Sequence, residues 1–230
     1  MSRSSLGFVQ WIAFIGLFLI STLTLAEQDS NSNSNSNKSA RDVVTRTTQS
    51  VMEVVARVRN SGADTREYYA ELESILDPVV DFRGFARGVM GPYATSARYR
   101  SLDEAGRKQL TEQLDRFADK IRNTMVRTYG KGLLAFGGSR LELTESQPGQ
   151  ARDSRQETVQ QLIYNEGSDP YIVYYQMGKN KDGNWKLRNL IIEGVNLGEI
   201  YRSQFESSAR QYNGDLDSVI DKWSVIEIEK

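Results

Sequence analysis

From Ala40 onward the apolar positions keep a helical period. Val44, Thr48, Val51, Val55 and Val58 recur at alternating steps of four and three, which predicts one face of an amphipathic helix ended by Gly62. Tyr68, Tyr69, Leu72, Ile75, Leu76 and Val79 predict a second helix, disturbed by Pro78. Asp81 is placed to cap a short third helix that buries Phe82, Phe85, Ala86 and Val89 and stops at Gly91-Pro92. Ser101 to Glu104 reads as a capping box, with Ser101 as N-cap and Glu104 three positions on. The long helix behind it carries Leu110, Leu114, Phe117, Ile121, Met125 and Tyr129, and Gly130 and Gly132 are expected to loosen its end.

The period then changes. Leu133, Leu134 and Phe136 lead into a Gly137-Gly138 turn. Arg140–Thr144, Thr158–Tyr164, Tyr171–Met177 and Trp185–Ile192 predict four strands, with a polar linker over Glu145–Gln156. Lys181 to Asn184 supplies a hairpin turn between the last two strands. Asn196 can cap a helix with an apolar face of Leu197, Ile200, Tyr201 and Phe205. Gly214-Asp215 restarts a last helix carrying Leu216, Val219, Ile220 and Trp223. Helices, then strands, then helices predict an α+β fold, with helices packed on a four-stranded or larger antiparallel sheet.

The third strand is apolar on both faces, with Ile172 and Tyr174 on one and Tyr171, Val173, Tyr175 and Met177 on the other. Leu190 to Ile192 is a continuous apolar run. An antiparallel sheet usually shows water one polar face. Two apolar faces mean either helices on both sides or a face that lines a cavity, and both readings stand on these residues alone.

The first segment reads as an address. Arg3 precedes an uncharged stretch from Ser4 to Ala26, and Thr24-Leu25-Ala26 offers small residues for cleavage after Ala26. A signal peptide over residues 1–26 is expected, with an uncleaved anchor as the alternative. Either exports the rest of the chain. The Ser/Asn alternation from Ser30 to Asn37 has nothing to bury, so residues 27–39 are expected to form a flexible linker. Residues 40–230 then form a single domain.

Composition narrows the chemistry. The 230 residues include no His and no Cys, which removes imidazole bases, thiol nucleophiles, ordinary zinc sites and disulfides. With 29 Lys+Arg against 30 Asp+Glu there is no basic excess for nucleic acid. Tyr129-Gly130-Lys131-Gly132 lacks the remaining residues of a phosphate loop and follows a helix, not a strand. On the long helix, Arg107, Lys108, Arg116, Lys120, Arg122, Arg127 and Lys131 face Asp103, Glu104, Glu112, Asp115 and Asp119. A solvated face is the default reading of that pattern; a docking patch for an acidic partner or lipid headgroups is the other.

Three strings carry a resemblance. They are Asp81-Phe82-x-x-Phe85-Ala86-Arg87-x-Val89-Met90-Gly91-x-Tyr93, then Tyr129-x-x-x-Leu133-Leu134-x-Phe136, and then Asn184-Trp185-Lys186-Leu187 through Ile192-Glu193-Gly194-Val195-Asn196-Leu197 to Tyr201-Arg202-Ser203-Gln204-Phe205. In order and spacing the chain resembles the MlaC-like periplasmic phospholipid-binding proteins, the toluene-tolerance auxiliary component family. It departs from that pattern at Asn189, where Asp is expected, and between Tyr93 and Ser101, where it is longer.

The resemblance implies an α+β, NTF2-like-looking fold with an internal apolar cavity, no cofactor and no catalysis. It implies a carrier in the periplasm that encloses the acyl tails of a phospholipid ligand. Its partners would be an outer-membrane lipoprotein–porin complex and an inner-membrane ABC transporter with an MCE-domain ring. The tail-binding wall is then expected from Val89, Met90, Tyr93, Phe117, Ile121, Met125, Tyr129, Leu134 and Phe136 on the helices. From the sheet it draws Leu141, Leu143, Ile163, Val173, Tyr175, Met177, Leu187 and Ile191, while Trp185 and Trp223 are read as structural. The alternatives are an NTF2-like enzyme acting on an apolar small molecule, with Tyr and Asp as its groups, and a ligand-free envelope interaction module.

Overall fold

The structure is a computed structural model that describes residues 39–61, 64–135, 141–144, 155–164 and 169–224. The signal segment, the Ser/Asn tether, Gly62, Phe136, the Gly137-Gly138 turn and most of the Glu145–Gln156 linker lie outside the described residues.

The helices start where short polar side chains can take up free backbone N–H groups. Helix α1 (Ala40–Ser61) is followed by α2 (Thr65–Leu76), for which the Asp64 side chain accepts from the Arg66 N–H. Helix α2 stops one residue ahead of Pro78, so Val79 falls outside it. Helix α3 (Phe82–Met90) is capped by Asp81, which accepts from Gly84 N–H at 2.9 Å. A 3-10 turn over Gly91–Ala94 leads to α4 (Ser96–Ser101), a short helix that the hydrophobic pattern does not announce. Ser101 therefore ends a helix instead of beginning one. The cap of α5 (Glu104–Ala135) is Asp103, whose carboxylate accepts from Gly106 N–H at 2.8 Å. Helix α5 also runs straight through Gly130 and Gly132. A Cβ at Gly130 would stand 2.8 Å from Leu72 and 3.0 Å from Tyr69, so the glycine there permits close approach to α2 and does not end the helix.

Strands β1 (Leu141–Leu143), β2 (Gln156–Ile163), β3 (Tyr171–Lys179), β4 (Trp185–Ile192) and β5 (Val195–Asn196) form one antiparallel sheet in sequence order. The β3–β4 hairpin closes on Asn180, whose side-chain oxygen accepts from the N–H groups of Asp182 and Asn184, with Gly183 at φ +80°. Helix α6 (Leu197–Gln211) is capped by Asn196 and α7 (Leu216–Asp221) by Asp215. Ile200, expected on the apolar face of α6, is 41% exposed; Leu197, Tyr201, Phe205 and Ala209 form the buried stripe.

The charged face of α5 is largely taken up within the chain. Arg116 pairs with Asp217 and Asp221, and Arg122 with Asp77 and Asp119. Arg107 lies over the Tyr99 ring and Arg127 over the Tyr69 ring.

The core is divided. One cluster joins α3, the first half of α5, α6 and α7 around Phe117, Phe205, Tyr201 and Trp223, with Phe117 and Trp223 in edge contact at 5.0 Å. A second joins the latter part of α1 to α2 and α5 through Val55, Tyr68, Leu72 and Val126. A third seats the start of α1 on the sheet through Ala40, Val44, Val159 and Met177, with Trp185 packed against it.

Candidate functional site

Where the three clusters meet, the interior is hollow. A cavity of about 380 Å³, partly open to solvent, lies between one face of the sheet and helices α1, α2, α3 and α5. That volume falls within the ~300–1,000 Å³ of small-molecule sites. Its roof comes from Thr47, Thr48, Val51 and Met52 of α1 and from Met125, Tyr129 and Leu133 of α5. Leu72 and Leu76 of α2 and Phe82 and Phe85 of α3 close the sides. The floor is the inner face of the sheet, with Ile163, Val173, Tyr175, Leu187, Leu190 and Ile192.

That floor depends on an irregularity. In the β3–β4 pairing Gln176 meets Asn189 while Met177 meets Leu187, so Arg188 is one extra residue on β4. Such a bulge shifts the side-chain alternation by one. Leu187 faces in on one side of it, and Leu190 and Ile192 face in on the other. The polar pair Arg188-Asn189 between two leucines is the sequence trace of that shift.

Both bulge residues are held by side chains. The Arg188 guanidinium pairs with the Asp81 carboxylate, which also caps α3, and the backbone N–H of Asp81 donates to Leu187 at 3.0 Å. Asn189 donates to the side-chain oxygens of Gln176 (3.0 Å) and Asn196 (2.8 Å) and accepts from Gly198 N–H (3.0 Å). Two adjacent strand positions thus tie down where α3 and α6 begin.

The remaining polar groups on the wall are hydroxyls and amides. The Tyr175 hydroxyl donates to Gln161 Oε1 at 2.7 Å, and burial pushes its pKa up to about 12 against a hydrogen bond from Thr48 that lowers it. Burial raises the pKa of both Tyr129 and Tyr201. Among the described residues no carboxylate lines the cavity, and no cluster of acidic side chains could hold a metal ion. Chemically the site is a hydrocarbon lining with a few neutral polar groups and one guanidinium, Arg188, paired with Asp81, and it is suited to an apolar ligand.

The sequence model of the family described as MlaC protein matches residues 45–225. The chain belongs to the MlaC family. It is 28% identical over 188 residues to the toluene tolerance protein ttg2D of Pseudomonas putida, covering 81% of this chain and 80% of that one. It also shares the fold of a phospholipid-binding protein from Ralstonia solanacearum solved in complex with a phospholipid. That match has a TM-score of 0.58 at 18% identity and covers 80% of this chain and 97% of the other.

Seven of the wall residues expected from the MlaC resemblance stand together on the cavity: Met125, Tyr129, Leu141, Ile163, Val173, Tyr175 and Leu187. Val89, Met90, Phe117 and Ile121 are instead sealed in the aromatic cluster, with Tyr93 packed against it. Leu134 packs on the α1–α2 cluster, and Met177 and Leu143 on the cluster at the start of α1. Ile191 pairs with Tyr174, on the face opposite Leu190 and Ile192, because the bulge has shifted the alternation. The sequence reading missed the α1 roof. Its one trace was Thr47-Thr48, a polar step in a valine-rich face.

Proposed function

We propose that this MlaC-family chain is a phospholipid carrier of a Gram-negative envelope. It takes the acyl tails into the cavity, leaves the headgroup toward solvent and crosses the periplasm as a soluble complex. Residues 1–26 are its export signal and 27–39 its tether. It collects and delivers lipid between an outer-membrane lipoprotein–porin complex and an inner-membrane ABC transporter with an MCE-domain ring.

The observation that carries this reading is the apolar hollow between the helices and the inner face of the sheet. Keeping hydrocarbon out of water is worth about 0.8 kcal/mol per CH₂, so a 16-carbon tail left in water costs roughly 12 kcal/mol. A carrier must therefore wrap its tails, and wrapping needs a dry, shaped interior but no reactive group. The wall residues supply the first, and the lack of His and Cys fits the second. The phospholipid bound by the Ralstonia protein on the same fold supports the same ligand class.

Native mass spectrometry of the exported chain, purified without detergent, tests the reading. The expected result is a protein peak carrying phospholipid mass, matched by phospholipid in an organic extract. Repeated gentle preparations with no lipid in either measurement would overturn it.

A further inference from the structure

Gln161 is out of place in a hydrocarbon wall. It lies in the middle of β2, paired with Leu143 and Val173, and is only 3% exposed. Among the described residues the other buried amide is Gln113, at 7% exposed, and it is satisfied by Asp217 at 2.9 Å. The Gln161 oxygen is satisfied too, by the Tyr175 hydroxyl at 2.7 Å. A phenol hydroxyl has one proton to give, and Tyr175 gives it to Gln161 Oε1. This fixes the orientation of the amide.

The two N–H donors on Gln161 Nε2 are left over, and no described residue offers them an acceptor. Tyr175 and Gln161 both line the cavity. The bond accepted at Oε1 strengthens the donors at Nε2, because one bond polarises the next. On β4 the polar wall groups are already committed, Arg188 to Asp81 and Asn189 to Gln176, Asn196 and Gly198.

We propose that the Gln161 side-chain amide holds an ester carbonyl oxygen of the bound lipid and so sets how deep the tails sit. The acceptor must be neutral. A phosphate oxygen at this depth would be stripped of water beside an uncharged amide, and the nearby guanidinium is neutralised by Asp81. An ester carbonyl is the neutral acceptor that a diacyl phospholipid carries next to its hydrocarbon. The inference rests on the carrier reading.

The test offers the stripped protein vesicles of diester phosphatidylglycerol or of its diether analogue, with the same chains and headgroup but no carbonyls. Bound lipid is read by native mass spectrometry. The wild type is expected to prefer the diester about tenfold, the worth of one good hydrogen bond. Gln161→Leu, of similar size, is expected to lose that preference and to take up diester and diether in equal amounts. Equal uptake of both lipids by the wild type overturns the inference and leaves the carrier reading standing, with the amide holding only water. That ratio decides the matter even if the variant does not fold. A preference that survives in a folded Gln161→Leu also overturns it. Uptake of neither lipid overturns the carrier reading and this inference together.

Discussion

Asn189 makes two bonds that a carboxylate could not. Its Nδ2 group donates to both Gln176 and Asn196, and Asn196 is also the cap of α6. The aspartate expected at this position from the family pattern would set a negative charge against two carbonyl oxygens. Asn189→Asp should therefore lower the urea unfolding free energy by about 1–3 kcal/mol, the cost of stranding buried polar groups. Buried tyrosines give a second prediction. Burial pushes Tyr68 and Tyr175 up to about 12 from an ordinary 10, so between those values the unfolded chain has lost protons that the folded one keeps. Stability should be level below pH 10 and fall from pH 10 to 12. Urea titrations across that range should show a shallower fall for Tyr68→Phe and Tyr175→Phe than for the wild type. At this scale capping was legible wherever one polar residue stood before an apolar run, as at Asp81, Asn196 and Asp215. It misled at Ser101, where Asp103 two positions later was the better acceptor.

Helix α5 was legible as a helix but not as two different surfaces. Leu110, Leu114, Phe117 and Ile121 are closed in by other side chains, while Met125 and Tyr129, further along the same stripe, pack on that cluster with one side and border the hollow with the other. Periodicity reports which side of a helix avoids water and says nothing about whether side chains or a void lie opposite. The same limit explains why Val89 and Met90 were expected on the wall and lie in solid core. On β4 the alternation was legible up to Arg188 and inverted beyond it. The bulge yields a prediction at this scale. Deleting Arg188 leaves Leu187 opposite Met177, Leu190 opposite Tyr175 and Ile192 opposite Val173, so the wall stays inward and lipid uptake read by native mass spectrometry should persist, while loss of the Asp81 pair lowers the urea unfolding midpoint. Arg188→Met keeps the bulge and should keep uptake, although the Asp81 pair is gone.

Across the whole molecule, the hollow sets stability against function. Side chains around an unfilled space forgo contacts that a packed core would give them. A ligand that binds the folded state alone restores part of that loss, by about 2.7 kcal/mol when present at a hundred times its dissociation constant. Lipid-loaded protein should therefore melt above the stripped form in differential scanning calorimetry. Val173→Phe, placed on the floor of the cavity, should abolish the lipid adduct while the stripped variant melts no lower than stripped wild type. The α+β layout and the β3–β4 hairpin could be read from the sequence because local period and turn chemistry specify them. The hollow could not, since it exists only where distant segments fail to touch. Among the described residues no buried side chain of one cluster packs on a buried side chain of another. Helices α1 and α5 nevertheless each run through two of the clusters, so unbroken backbone spans the gap that the side chains leave. A frame braced by continuous rods keeps its room whether or not anything fills it, which is the property the proposed carrier needs.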